Sequence, residues 1–445
     1  MNIIVVGAGD IGFHLCNKLL SDNHNVTIID KDPVRVNKMN EQLDAYVLEG
    51  SGSSYKTLKT AKIENTDIFV AVTSNDEVNL IASIIAKKNG VQTTIARVRN
   101  SEYSTNFSIT AQELGIDMII QPEKETANAI INLIKQTSAT DYIEFDKGKI
   151  KIVGIRLDKK YPYPDMKLQS LSSVLRDFPL RILALKRADQ TIIPKGDDTL
   201  RIGDQIFVIC DSNYLEHALY FFGKKDVKLN NLMILGGGLT GQYVATALDD
   251  KYNVKIIESD EKKSFLLAQS IRRGLVINGD GTDLEMLNTE GLAEMDEFVA
   301  VSGDDETNII SSMLALQTGV PRTITLIKKM EYLRMTSSIG LDAVLTKQMV
   351  TVNVIRQFIR RKKYAQFAEI PGLDAAIVEL VARSESKIVK KPLKEIKIPP
   401  NTIFGAVLKS NNEFEIPTGN TQIMPGDKVV VFFIPGVLKE IEKLF

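Results

Sequence analysis

Histidine, cysteine and net charge are all scarce in this chain of 445 residues, and each scarcity removes a class of function. The three histidines are His14, His24 and His217, and they fall into no metal-ligand cluster. Each is read as structural. The two cysteines, Cys16 and Cys210, belong to no C-x-x-C pair, so neither a disulfide framework nor a zinc site is expected, and a reducing cytoplasm fits. Lys+Arg 55 against Asp+Glu 56 leaves a formal net charge of -1, which gives no overall basic footprint for nucleic acid or anionic lipid. No apolar run approaches the ~18 residues that cross a bilayer. The chain opens on a strand rather than on a basic and then apolar leader, so no signal peptide is expected. A serine nucleophile elbow, a P-loop lysine and a metal-ligand cluster are missing as well.

What is present begins at once. Ile3, Ile4, Val5 and Val6 read as a buried parallel strand that runs into Gly7, Gly9 and Gly12 at G-x-G-x-x-G spacing. An amphipathic segment over residues 13–20 follows at helical period. In a strand, glycine turn and helix of this kind, Gly7 allows the tight turn and Gly9 lets a pyrophosphate approach the backbone. Gly12 lets the helix pack on the strand, and the free N–H groups of the helix end face the anion.

The chain then repeats itself. Gly236, Gly238 and Gly241 restart the pattern, and Phe69-Val-Ala-Val-Thr-Ser-Asn-Asp-Glu-Val-Asn79 recurs as Phe298-Val-Ala-Val-Ser-Gly-Asp-Asp-Glu-Thr-Asn308. Short Val/Ile strands alternate with helices in each half, which predicts right-handed crossovers and a doubly wound parallel sheet. In the first half the strands fall near 2–6, 26–30, 46–48, 68–72, 93–98 and 117–120, and a long helix around Glu123–Gln136 closes the unit. Its counterpart, Val350–Phe367, puts Val352, Ile355, Phe358 and Ile359 on one face. Its basic residues Arg356, Arg360, Arg361, Lys362 and Lys363 read as a solvated face near the helix C-terminus, or as a contact for an acidic partner.

Residues 141–226 lose the glycine rhythm and show β-like runs at Ile150–Leu157, Leu180–Lys186 and Gln205–Cys210, which implies a small α+β module. Its last stretch, read as a hairpin over residues 191–208, is echoed over 414–431. Gly203-Asp204 and Gly426-Asp427 in these stretches are structural turns. The expected fold is therefore α/β, with two tandem Rossmann-like domains at 1–138 and 228–366, each followed by a small α+β domain, at 139–227 and 367–445.

An acid about 20 residues past the glycines is where a ribose 2′-hydroxyl would be held. Asp30 fits, and its carboxylate would repel a 2′-phosphate, favouring NAD(H) or an adenosine nucleotide over NADP; the alternative is that it caps the next helix. Glu258 takes that place in the second half. A second glycine cluster carries Ser51 in one half and Asp280 in the other, so the two sites differ chemically. Thr73 and Ser74 end the fourth strand, where open α/β sheets bind ligand. Asp76, Asn79, Asp305 and Asn308 are expected to cap helices and pin loops. Arg97 and Arg99 share a face of the fifth strand, and a guanidinium there needs an anion, which makes Arg97 a phosphate candidate. Leu326 and Lys328 replace them in the second half.

Gly7-Ala-Gly-Asp-Ile-Gly12, Thr73-Ser-Asn-Asp-Glu-Val-Asn79, Ala96-Arg-Val-Arg-Asn-Ser-Glu-Tyr103 and the small Pro-Gly-Asp module resemble the RCK (KTN) domains that regulate potassium transport. The resemblance runs end to end, in two tandem copies. It implies a peripheral regulatory subunit of a Trk-type uptake system, assembled as a tetrameric ring under a TrkH-type or TrkG-type membrane protein. It also implies gating by NAD(H), ATP or ADP, without catalysis. The nucleotide contacts it implies fall on Gly7, Ala8, Gly9, Asp10, Ile11, Asp30, Ser51, Thr73, Ser74 and Arg97, beside Gly12 of the same turn. The second set is Gly236, Gly238, Leu239, Thr240, Gly241, Glu258 and Asp280. Two rival readings need features not found here. An NAD-dependent dehydrogenase with two fused cofactor domains needs a His, Lys or Tyr acid/base beside a substrate pocket, and a transcriptional regulator needs a helix-turn-helix or a basic face.

Overall fold

The computed structural model describes residues 1–103, 110–135, 140–175, 178–187, 190–224, 229–336, 339–360, 366–370, 373, 375–434 and 436–445. The first parallel sheet contains β1 (Asn2–Val6), β2 (Asn25–Asp30), β3 (Tyr46–Glu49), β4 (Ile68–Ala71), β5 (Thr93–Arg97) and β6 (Met118–Ile120). Between them run α1 (Asp10–Ser21), α2 (Pro33–Gln42), α3 (Tyr55–Thr60) and α4 (Asp76–Lys88), and α5 (Pro122–Lys135) follows. The strand order β3-β2-β1-β4-β5-β6 reverses at β1/β4, so the crevice where open α/β sheets bind ligands opens at the C-terminal ends of these two strands.

A small antiparallel sheet comes next: β7 (Asp141–Phe145), β8 (Ile150–Arg156), β9 (Leu180–Arg187), β10 (Gln190–Ile192) and β11 (Gln205–Asp211), with α6 (Leu168–Val174) and α7 (Leu215–Phe221). Both designs then recur. The second parallel sheet is β12 (Asn231–Leu235), β13 (Asn253–Glu258), β14 (Leu275–Asn278), β15 (Glu297–Ala300), β16 (Thr323–Ile327) and β17 (Ala343–Thr346). Its helices are α8 (Leu239–Leu248), α9 (Glu261–Ser270), α10 (Leu284–Thr289), α11 (Asp305–Thr318), α12 (Met330–Thr336) and α13 (Lys347–Arg360). The last sheet is β18 (Gln366–Glu369), β19 (Ala376–Val381), β20 (Thr402–Leu408), β21 (Phe414–Glu415) and β22 (Lys428–Phe433), closed by α14 (Leu438–Glu442). The orders β14-β13-β12-β15-β16-β17 and β18-β19-β22-β20-β21 repeat those of the first half. The fold is thus α/β with two Rossmann-like parallel sheets, each followed by a small antiparallel one.

Three expectations are corrected. Residues 191–208 are not a hairpin, because β10 pairs with β9, and β9 stands between β10 and β11. The turn-rich residues between β10 and β11 carry the chain past β9, which alternation alone cannot distinguish from a hairpin. The helix at Val350–Phe367 ends earlier: Phe367 lies in β18, opposite Val378, while Arg361, Lys362 and Lys363 fall outside the described residues, as does Gln136 of the earlier helix.

The third correction concerns what α13 covers. The chain forms two compact units, residues 1–128 with 346–359, and residues 129–345 with 360–445. Helix α13 therefore belongs with the first sheet. Val352, Ile355 and Ile359 pack in one buried cluster with Ile3, Val5, Leu15, Leu19 and Ile28. Each such side chain contributes roughly 1.5–3 kcal/mol of burial. Arg356, expected on a solvated face, is buried, and its Nη2 donates to Asp22 Oδ2 at 2.8 Å. Conversely, residues 129–135 of α5 belong to the second unit, where Arg322 Nη1 donates to the Leu133 carbonyl at 2.9 Å. Within that unit the two small sheets share a core, with Phe145, Ile152, Phe207 and Ile209 of one against Ile377, Ala406, Val430 and Phe432 of the other.

The parallel sheets differ at their N-terminal edge. Ile68 pairs with Thr93 in the first, whereas the equivalent positions in the second hold Glu297 and Arg322. Glu297 is fully buried, 3.3 Å from Arg322 Nη1. Burial pushes its carboxyl up to about 7, outweighing Arg322, with Asp342 and Asp296 adding to the rise.

Candidate functional site

The first glycine turn is forced by sterics. Gly7 has φ +107°, and a Cβ there would stand 2.9 Å from the Thr73 amide nitrogen; a Cβ on Gly12 would stand 1.8 Å from the Gly7 carbonyl oxygen. The turn therefore carries β1 against the end of β4 and then into α1 with no room for a side chain. Gly9 is the N-cap residue of α1 and supplies no side-chain cap, and Gly238 stands likewise before α8. Four neighbouring helices are closed by side chains instead: α2 by Asp32, α4 by Asn75, α9 by Asp260 and α11 by Asp304. An uncapped helix end lined by glycine suits a phosphate, since orphan amides and the helix dipole both favour an anion.

Asp30 is buried at the end of β2, and both its oxygens hold backbone. Oδ2 accepts from the Ala8 amide at 2.6 Å and Oδ1 from the Asp32 amide at 2.9 Å. Asp32, not Asp30, caps α2. The acid thus ties the glycine turn to the β2 loop, and its remaining lone pairs are those a ribose would use. Glu258 repeats this arrangement, with Oε2 on the Gly237 amide and Oε1 on the Asp260 amide, each at 2.9 Å.

The other first-half residues converge at the same strand ends. Ser51 lies in the exposed turn after β3, its Oγ 3.0 Å from Ser53 Oγ, and the neighbouring Gly50 amide donates to the Asp30 carbonyl at 2.9 Å. Thr73 is fixed by Asn79, whose Oδ1 accepts from both the Thr73 amide and its Oγ1, at 2.9 and 2.7 Å. Asn79 Nδ2 also donates to the Arg97 carbonyl at 2.9 Å, so one buried side chain sets the spacing between the ends of β4 and β5. Asp76 pins the following loop, accepting from the Arg99 and Asn100 amides at 2.8 Å. Asp305 and Asn308 repeat those roles, while the capping expected of these residues falls to Asn75 and Asp304. Ser74 and Asp10 are exposed at the mouth, and Ile11 is half-buried.

Arg97 ends β5. Its Nη1 donates to the Thr73 carbonyl at 3.2 Å, while its Nε is buried without a hydrogen-bond partner among the described residues. Burial lowers its pKa, opposed by Glu123. Such a group fits an anionic ligand that would complete its bonding. Glu123 is held below the usual carboxylate range, because Lys347 at 3.2 Å and Arg99 at 3.5 Å outweigh its burial. In the second half Leu239 is exposed and Thr240 buried at the start of α8. Asp280 is exposed, and its Oδ1 accepts from the Thr282 amide and Oγ1 at 2.9 and 2.8 Å, which lowers its pKa. Leu326 leaves that half without a counterpart of Arg97.

One residue escaped the sequence reading. Arg35, on α2, stands 4.0 Å from Asp30 Oδ2, and a Cβ on Gly9 would lie 3.8 Å from its Nη1. The readable signal was a cation in the first turn of a helix, where the dipole disfavours it.

The TrkA-N domain model matches residues 3–122 and 232–347, and the TrkA-C domain model residues 152–223 and 377–445. The chain is 33% identical over 454 residues to the Trk system potassium uptake protein TrkA homolog 1 of Methanosarcina mazei, covering 100% of both chains. Among solved structures, the GsuK RCK domain superposes with a TM-score of 0.62 at 17% identity, covering 100% of this chain and 94% of that one. The GsuK channel bound to NAD does so with a TM-score of 0.62 at 17% identity, covering 100% and 78%. No helix among the described residues is long and apolar enough to cross a membrane. Tandem TrkA-N and TrkA-C domains and full-length relatedness place the chain in the TrkA family of Trk system potassium uptake proteins.

Proposed function

We propose that the chain is the nucleotide-sensing regulatory subunit of a Trk-type potassium uptake system. It binds NAD(H), or ATP or ADP, at the first glycine turn and controls potassium flux through a TrkH- or TrkG-type membrane protein. It works as a homotetramer on the cytoplasmic face of the membrane, its sequence divided into domains at 1–138, 139–227, 228–366 and 367–445, with α13 given over to the first unit and the end of α5 to the second. The observation that carries this reading is the α1 end without a side-chain cap together with Arg97, which bonds Thr73 at the same glycine turn and whose Nε has no hydrogen-bond partner among the described residues. NAD bound to a channel of the same fold supports it.

The amides of Ile11 and Gly12 hold the pyrophosphate or phosphate, Arg97 neutralises it, and Asp30 takes the adenosine ribose and repels a 2′-phosphate. Thr73 and Ser74 border the second nucleoside. The ligand is bound and released unchanged. It moves the partner only as far as it binds one conformation of the subunit better than another. The contacts tie the ends of β1, β2, β4 and β5 together, so a nucleotide rigidifies that edge of the sheet.

The test combines calorimetric titration of the purified chain with potassium flux in vesicles carrying the partner. NADH or ADP should bind, alter flux and be recovered chemically intact. Steady consumption of either by the chain alone would sink the proposal, as would flux indifferent to a ligand that binds.

A further inference from the structure

Arg35 is the third residue of α2, behind its N-cap Asp32, at the positive end of a helix where a cation is disfavoured. Its guanidinium stays there by leaning on two carboxylates, with Nη1 4.0 Å from Asp30 Oδ2 and Nε 3.5 Å from Asp32 Oδ2, while 52% of the side chain remains exposed. It borders Gly9, the uncapped start of α1, with Nη1 3.8 Å from where a Cβ would stand. The second half has neither guanidinium. Lys263 occupies the matching place and reaches Asp260 at 4.0 Å, Leu326 replaces Arg97, and beyond its chain neighbours no described heavy atom lies within 4 Å of a Cβ on Gly238.

We propose that Arg35 is a phosphate-binding residue of the first site, resting on Asp30 and Asp32 in the free chain and closing onto the phosphates of an adenine nucleotide seated at the N-terminus of α1. This rests on the nucleotide reading above. Two carboxylates beside an anion seat would repel the ligand, and Arg35 cancels that repulsion while presenting a planar fork of donors matched to phosphate oxygens. Being half-exposed, it reorients at little desolvation cost, and the Asp30 carboxylate it leaves stays held by the Ala8 and Asp32 amides. The first site then grips phosphate with two guanidiniums, from α2 and β5, and the second with none.

The experiment uses the full chain carrying Gly238→Asp, a substitution with space for its side chain that caps α8 and sets a carboxylate over the second anion seat. In this parent, calorimetry should detect ADP and NADH binding. Adding Arg35→Ala should weaken both about tenfold, reduce the salt dependence of ADP binding, and leave the affinity for adenosine, measured by displacement of ADP, unchanged. Arg35→Lys should recover part of the loss. Equal ADP affinity with and without Arg35, or an equal loss for adenosine and ADP, overturns the inference while leaving the nucleotide site standing. A parent that melts cooperatively but binds neither ADP nor NADH overturns the nucleotide reading and the inference with it.

Discussion

At the first glycine turn Asp30, Arg35 and Arg97 surround an uncapped helix end, whereas at the second Glu258 does the work of Asp30 and the other two places go to Lys263 and Leu326. What the copies share is what the backbone demands. Gly7 and Gly236 both take positive φ, and Gly12 and Gly241 would each drive a Cβ to within 2 Å of a carbonyl oxygen, at 1.8 and 1.9 Å. What differs is the charge that faces a ligand. A duplicated scaffold is held by sterics on every copy, while groups at the mouth are free to diverge because no core depends on them.

The comparison can be broken in three places. Gly12→Ala and Gly241→Ala should each cost about 3 kcal/mol of stability, read by denaturant unfolding, because a backbone carbonyl must move in both. Only Gly12→Ala should remove the tighter nucleotide binding; equal losses would mean that the halves work alike. Next comes the buried pair. A carboxyl whose folded pKa lies above its ordinary 4.5 stabilises the fold fully below that pH and loses the contribution as pH rises through about 7. Glu297 should therefore cost the wild type roughly 3 kcal/mol between these limits. Replacing it with the first half's pair, Glu297→Ile with Arg322→Thr, should remove that slope, and parallel pH–stability curves would refute the assignment. The smallest effect is on affinity: Arg97→Leu, which copies Leu326, should weaken ADP binding by about 2 kcal/mol with little change in melting temperature.

Much of this was legible in residue order. Four consecutive buried Ile and Val residues followed by spaced glycines specify strand, turn and helix locally, and a second copy doubles the signal. Asp30 and Arg97 could be picked out because a charge at the end of an apolar strand demands a partner. The destination of α13 could not. Val352, Ile355 and Ile359 say that one face is buried, and periodicity is silent on which sheet buries it. Arg356 was misjudged for the same reason, since its partner Asp22 is 334 positions away. The hairpin error at 191–208 has a related cause: strand adjacency is a long-range property, and β9 intervenes through pairing that local turn chemistry does not encode.

The membership of α13 in the first unit bears on the order in which the protein can be made. During synthesis β1 and its glycine turn emerge more than 300 residues before α13, the helix that packs with Ile3, Val5 and Leu15. The part of the first sheet's apolar face which α1 and α2 leave to α13 must wait until residue 360 has been translated, which raises contact order and slows folding. Neither half is therefore a module that could be cut away: a chain stopped after residue 227 would leave part of a sheet face uncovered, and the readiest cover for it would be the same helix from another molecule.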